Sequence, residues 1–281
     1  MKPDRAENTH FDEHESLLPE RGRAPKETAR YAQYEELLLE RDRLAKEAGQ
    51  IWTVYVQTFG QLMTDIFEEK VACIRQKKLI AHYQTAANRG EPIDAEALEK
   101  KLEQEMASYQ AELRRLIKEH KACMKAGIST NYEVERAKTL YRRLAKLLHP
   151  DIRPETDREE VLMKLWLRIT EAYGRNDVKS LAELEVLARK ALKDLAIDGA
   201  TRVEIPDLEE RISQVRKEIE SIKSKEPYTY RELLEDESTV EQKKQELTSE
   251  LETYRNYHQE LKDLTEKILR KGGVQIVWRM N

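Results

Sequence analysis

Residues 141–173 read YRRLAKLLHPDIRPETDREEVLMKLWLRITEAY, and this stretch decides the fold prediction. Its first part is amphipathic, because leucines recur three or four residues apart on one side and basic residues occupy the other. The proline after His149 ends this helix, since proline lacks a backbone N–H and restricts the residue before it. A second apolar period follows the loop and ends at Tyr173. The stretch therefore predicts two helices joined by a short loop.

The helix before the loop has a continuous positive face. Between Arg136 and Leu148 the sequence contains five basic residues and no acidic one. Most charged faces of surface helices are simply solvated, so the charge alone assigns no role. The basic residues are Arg136, Lys138, Arg142, Arg143 and Lys146.

The tripeptide His149-Pro150-Asp151 permits several interpretations. A metal site would need further histidine or cysteine ligands, and the neighbouring sequence has none. A general base would need a nucleophile and a cleft, which the tip of a two-helix hairpin does not offer. Two interpretations stay open. One is an exposed recognition loop, in which Pro150 fixes the backbone and Asp151 presents its carboxylate; the other is a turn of chance composition.

The same stretch resembles helices two and three of a J-domain, the DnaJ-type co-chaperone module. The family's Tyr-basic-basic-Leu-Ala run is similar to residues 141–145, and its signature loop is similar to residues 149–151. The Glu-Ala-Tyr ending is intact at 171–173, whereas Trp166 replaces the usual phenylalanine. The tripeptide and both flanking helices agree with the family in their spacing, which makes the resemblance specific.

The resemblance implies a partner and a role. J-domains bind a DnaK-type chaperone of the heat-shock-70 class and stimulate its ATP hydrolysis. Such a co-chaperone needs no cofactor, no metal and no catalytic residue of its own, so the chain is not expected to be an enzyme. The residues that the resemblance places at the partner surface are His149, Pro150, Asp151, Tyr141, Arg142, Arg143 and Lys146.

The chain departs from the family on both sides of the motif. The family's first helix is not recognisable before Ser129, and IKEHKACMKAGIST (117–130) is expected to replace it structurally. The segment GRNDVKSLAEL (174–184) changes the fourth helix. These departures support a second hypothesis, a structural coiled-coil scaffold whose J-like module is inactive.

Long helices are predicted before the module. Residues 26–128 carry helical periods that are interrupted at NRGEPID (88–94), which predicts a hairpin of two long helices. The face that contains Trp52 and Phe59 is the most apolar part of the chain. Such a face needs another surface to cover it.

Residues 203–271 predict a coiled coil after the module. Apolar residues from Ile205 to Ile222 alternate in spacings of three and four, and a second, longer seam follows the break at KEPYTY (225–230). Folded back on each other, the two helices would form an antiparallel hairpin. The excess length of the second helix would then need the N-terminal helices, another subunit or a client as its partner.

The predicted fold class is therefore all-α. A small J-domain-like module (129–197) lies between the hairpins 26–128 and 203–271, with a disordered tail at 1–25 and a second tail at 272–281. A content of 37% charged and 6% aromatic residues suits long helices with wide solvated faces.

Composition also argues against other classes of function. No stretch approaches the roughly 18 apolar residues that span a bilayer, and the polar N-terminus does not resemble a secretory signal. We therefore expect a cytoplasmic protein without a membrane partner. The basic patch is local and lacks interleaved aromatic residues, so nucleic acid is not an expected partner.

Cysteine usage fits the same compartment. Cys73 and Cys123 lack the spacing of a metal or redox motif and are expected to be free thiols. The coiled coils are expected to bind an unknown client or partner, and they also favour self-association.

Overall fold

Helix α1 (Pro25–Arg89) is the axis of the protein. The structure is a computed structural model, and it describes residues 25–127, 129–197, 207–270 and 276–277. The 65 residues of α1 run without a break, which corresponds to about 98 Å at the helical rise. The helical periods before and after Ile51 therefore belong to one continuous helix. The predicted tail at 1–25 lies outside the described residues except for Pro25.

A tight turn reverses the chain after α1. Gly90 adopts a φ of 64°, a left-handed conformation that glycine enters without steric cost. After the short strand β1 (Ile93–Asp94), the Asp94 carboxylate accepts hydrogen bonds from the first backbone N–H groups of helix α2 (Ala95–Lys125). Helix α2 packs back against α1. The two long helices therefore form the hairpin that the sequence predicts.

The small module predicted at 129–197 contains α3 (Asn131–Leu148), α4 (Glu155–Arg158), α5 (Glu160–Gly174) and α6 (Val178–Asp194). A capping box between Thr130 and Glu133 begins α3, which satisfies backbone N–H groups that the helix itself cannot pair. The module has its own apolar core from α3, α5 and α6. Its fully buried side chains include Leu144, Leu148, Leu162, Ile169 and Leu181.

The last helices are α7 (Leu208–Ser224), α8 (Tyr230–Glu235) and α9 (Glu237–Arg270). The prediction that α7 and α9 pair mainly with each other is wrong, because both pack along α1. The apolar face of α1 explains this arrangement, since it needs more cover than α2 provides. Phe59 packs with Leu247 of α9, and Leu38 packs with Val215 of α7.

The end of the chain returns to the hairpin turn. Strand β2 (Ile276–Val277) pairs in parallel with β1, with Ile93 opposite Ile276. The other residues of the predicted 272–281 tail lie outside the described part of the chain. The all-α class is confirmed, since helices account for nearly all regular structure in the described residues. Within those ranges, no helix is apolar enough over sufficient length to cross a membrane.

Candidate partner-binding site

The His-Pro-Asp loop lies where α3 ends. The backbone N–H of His149 donates to the carbonyl of Ala145 at 2.8 Å, and Pro150 prevents the helix from continuing. The sequence predicts an exposed tip, but the prediction is wrong for His149, which is only 3% exposed. The physical reason is helix α1, which crosses the loop and covers the imidazole. Asp151 keeps a side chain that is 39% exposed.

The carboxylate of Asp42 on α1 is the centre of this contact. Its Oδ2 accepts a hydrogen bond from the Tyr141 hydroxyl at 2.7 Å and lies 3.4 Å from Nε2 of His149. The backbone N–H of Asp151 donates to Nδ1 of His149 at 3.1 Å. The Nε2 atom of His149 faces both the Asp42 carboxylate and, at 3.1 Å, Nη2 of Arg41.

Arg41 joins three acidic side chains around the loop. Its guanidinium lies 3.0 Å from Oδ1 of Asp42 and 3.1 Å from Oδ2 of Asp151. A further N–H donates to Glu218 of α7 at 3.3 Å. The planar guanidinium suits this use, because its five donors point in fixed directions. One arginine thus links α1, the loop and α7.

Electrostatic coupling keeps Asp42 and Arg41 ionised at neutral pH. Burial alone would raise the pKa of Asp42, but the hydrogen bond and charge of His149, together with Arg41, hold that pKa below its ordinary value. Burial would likewise lower the pKa of Arg41, and the carboxylates of Asp42 and Asp151 reverse the shift and raise it. Opposite charges at these distances favour the ionised forms.

The basic face of α3 is also covered in part. Lys146 lies 3.2 Å from Glu35 of α1, and Arg142 pairs with Glu36 of the same helix. Arg143 instead turns to Glu185 of α6 at 2.7 Å, inside the module. Acidic side chains of the same protein therefore already pair with residues that the sequence assigns to a partner.

Aromatic packing fixes the loop from the module side. The rings of Tyr141 and Tyr173 stack with their centroids 3.9 Å apart. The imidazole of His149 meets the indole of Trp166 edge-on, with centroids 4.9 Å apart. Lys46 of α1 lies 3.8 Å above the ring of Tyr173, a cation–π contact. The indole of Trp166 thus provides the surface under His149.

The sequence missed the residues of α1 that complete the site. Arg41 and Asp42 lie more than a hundred residues before the loop, and no local pattern marks such a contact. A weak signal exists in charge, because acidic residues cluster near position 35 while the α3 face is basic. Residues 117–125 of the segment 117–130 belong to α2, and the side chain of Gln57 on α1 donates to the carbonyl of Cys123.

The cluster does not provide a metal centre. Across the described ranges, no group of three or more histidine, cysteine or acidic side chains is placed to hold a metal ion. The guanidinium of Arg41 lies between Asp42 and Asp151, where a cation would have to bind. Cys73 and Cys123 are free thiols.

Fold and site together define an all-α protein in which a small helical module rests its loop against a long helix. Comparisons with family models, curated proteins and solved structures find no match to this chain. Its role must therefore be inferred from the residues and their geometry.

The hydrogen bond between Tyr141 and Asp42 allows a first test. Changing Tyr141→Phe keeps the stacked ring and removes one hydrogen bond to a buried carboxylate, so we expect stability to fall by about 1–2 kcal/mol. Urea denaturation followed by circular dichroism measures this loss. The control is Tyr132→Phe on the same helix, where the side chain is 75% exposed and no change is expected. Equal stabilities of all three proteins would contradict the contact.

Proposed function

We propose that this protein is a co-chaperone or adapter of a DnaK-type, heat-shock-70-class ATPase. The observation that carries the proposal is the His149-Pro150-Asp151 loop between the antiparallel helices of a separately cored module, next to the basic face of α3. The loop would present a specific polar group to the ATPase, and the basic face would steer the encounter with an acidic surface. The partner's own two-state cycle would supply the chemistry, so the co-chaperone needs no catalytic group.

The long helices would supply the adapter part of this role. Helices α1, α2, α7 and α9 form an elongated body with wide charged faces. That body would hold a client or a second protein while the module recruits the ATPase. Since the apolar seams of α7 and α9 are largely used against α1, a partner would bind the outer, charged faces.

Stimulation of ATP hydrolysis is the direct test. Added to a purified DnaK-type chaperone, the wild-type protein should accelerate ATP turnover, and Asp151→Asn should abolish the effect because it removes the charge of the loop. The control is Asp157→Asn, an exposed carboxylate six residues further along that should keep full activity. Absence of stimulation by the wild type, and by protein from which the ion pairs to α1 have been removed, would contradict the proposal.

A second candidate is a structural scaffold with an inactive J-like module. The burial of His149 against α1 favours it, because a permanently covered loop would serve only to fix the module on the long helix. Self-assembly in sedimentation experiments, together with no binding to the chaperone in a pull-down, would support the scaffold over the co-chaperone.

A further inference from the structure

We propose that helix α1 is an internal competitor for the partner surface, so that the module exists in a closed and an open state. This inference rests on the proposed function, because it concerns access to the same loop. In the closed state described here, five of the seven predicted partner-binding residues contact α1. They are Tyr141, Arg142, Lys146, His149 and Asp151.

The contact pairs opposite charges of α1 and the module. Glu35 and Glu36 of α1 neutralise Lys146 and Arg142, and Arg41 neutralises Asp151. An acidic partner surface would use the same basic groups. Binding of the partner and closure on α1 therefore exclude each other, since one ammonium or guanidinium group cannot hold its geometry with both.

The contact is polar enough for the module to separate from α1. The module keeps its own buried core from α3, α5 and α6, and the ion pairs of Arg142 and Lys146 to α1 lie outside it. The pairs that involve Arg142 and Lys146 are half-exposed at the basic side chain. Interfaces of this polar kind within a chain commonly open and close, whereas large apolar interfaces do not.

Imperfect packing between the two helices is consistent with opening. A cleft of about 390 Å³ lies between α1 and α3, with Leu37, Leu39 and Tyr141 among its lining residues. The apolar part of the contact includes Ile152, which is buried with residues of α1 and α7, and Leu39 of α1, which packs against the module's core. Opening would expose Ile152 and the imidazole of His149, while α1 would keep its contacts with α2, α7 and α9.

The double variant Glu35→Gln/Glu36→Gln weakens closure without touching the predicted partner surface. Ion pairs whose basic side chain is half-exposed, such as these two, each change an equilibrium by about two- to fivefold, so the open fraction should rise on the order of fivefold. The apparent affinity for the chaperone should improve by a similar factor, because affinity scales with the binding-competent fraction. The matched control is Glu68→Gln, an exposed glutamate elsewhere on α1 that should change neither quantity.

Reactivity of His149 reports the open state without any partner. Modification by diethylpyrocarbonate, followed by peptide mass spectrometry, should proceed several times faster at His149 in the double variant, with His120 as the internal reference. Raising the salt concentration should accelerate the reaction in the wild type and have less effect in the variant, since salt screens the ion pairs that the variant lacks. Circular dichroism should show the same helix content in all three proteins.

The outcomes separate the two proposals. Faster modification of His149 together with stronger stimulation of the ATPase supports both of them. Faster modification without any binding or stimulation keeps the closed state and overturns the proposed function. Equal modification rates in wild type and variant overturn the internal competition, and the proposed function then stands or falls on the stimulation by the wild type alone.

Discussion

Replacing Asp42 by alanine is expected to lower the free energy of unfolding by about 3 kcal/mol. The substitution leaves the guanidinium of Arg41, the imidazole of His149 and the hydroxyl of Tyr141 without their shared carboxylate. Polar groups that lose their partner in a buried position bear the full cost of desolvation. The measurement is chemical denaturation at neutral pH. The control is Asp65→Ala on the same helix, whose carboxylate accepts from the exposed Gln61 and should contribute little.

A double-mutant cycle shows whether the loss belongs to this cluster. In the Asp42→Ala background, Tyr141→Phe should cost almost nothing, because its hydrogen-bond acceptor is already absent. The coupling energy should therefore be about 1–2 kcal/mol. Strict additivity of the two substitutions would show that Tyr141 and Asp42 stabilise the protein independently and would contradict the observed geometry.

The pH dependence of Asp42→Ala has a defined sign. Folding lowers the pKa of Asp42, so its ionised form stabilises the folded protein at pH values above the unfolded pKa of about 3.9. That stabilisation is lost as the pH falls through the lower, folded pKa. The difference in stability between wild type and Asp42→Ala should consequently be largest near neutral pH and shrink under acidic conditions.

Local signals in the sequence predicted the helices well. Asp94 caps α2 and Thr130 caps α3, and both are residue types that favour this position, because capping depends on residues only two or three positions apart. The helix pair around His149 follows equally local rules of period and proline placement. Such rules predict each helix, and they do not predict which other helix it packs against.

The partners of the helices required information that no short stretch carries. The apolar face with Phe59 needed cover, but the sequence did not indicate which helix would provide it, and the structure places α9 there. The burial of His149 likewise depends on Arg41 and Asp42, which approach it only when α1 runs past the module. Side chains far apart in sequence meet through packing of whole helices, so the predicted exposure of the loop was the inference most open to error.

The apolar contact between α1 and α9 should stabilise the protein more than the polar cluster around Asp42 does. Phe59 has no exposed surface and packs with Tyr55, Leu247 and Leu251. Phe59→Ala removes most of a buried aromatic ring and leaves a cavity that two rigid helices cannot close, so we expect a loss of about 4 kcal/mol. Val54→Ala is the matched control, because Val54 is 46% exposed on the same helix.

The helices that lose stability in Phe59→Ala also test whether the module folds independently of the long helices. If the module's core is independent, Phe59→Ala should accelerate amide hydrogen exchange in the middle of α1 and in α9, whereas α3 and α5 should keep their protection. A module that stays folded while the long helices loosen can change its contact with α1 without unfolding, as the closed and open states require. A loss below 1 kcal/mol would contradict the burial of Phe59. Equal acceleration of exchange in every helix would instead show a single cooperative unit, in which the module could not open separately.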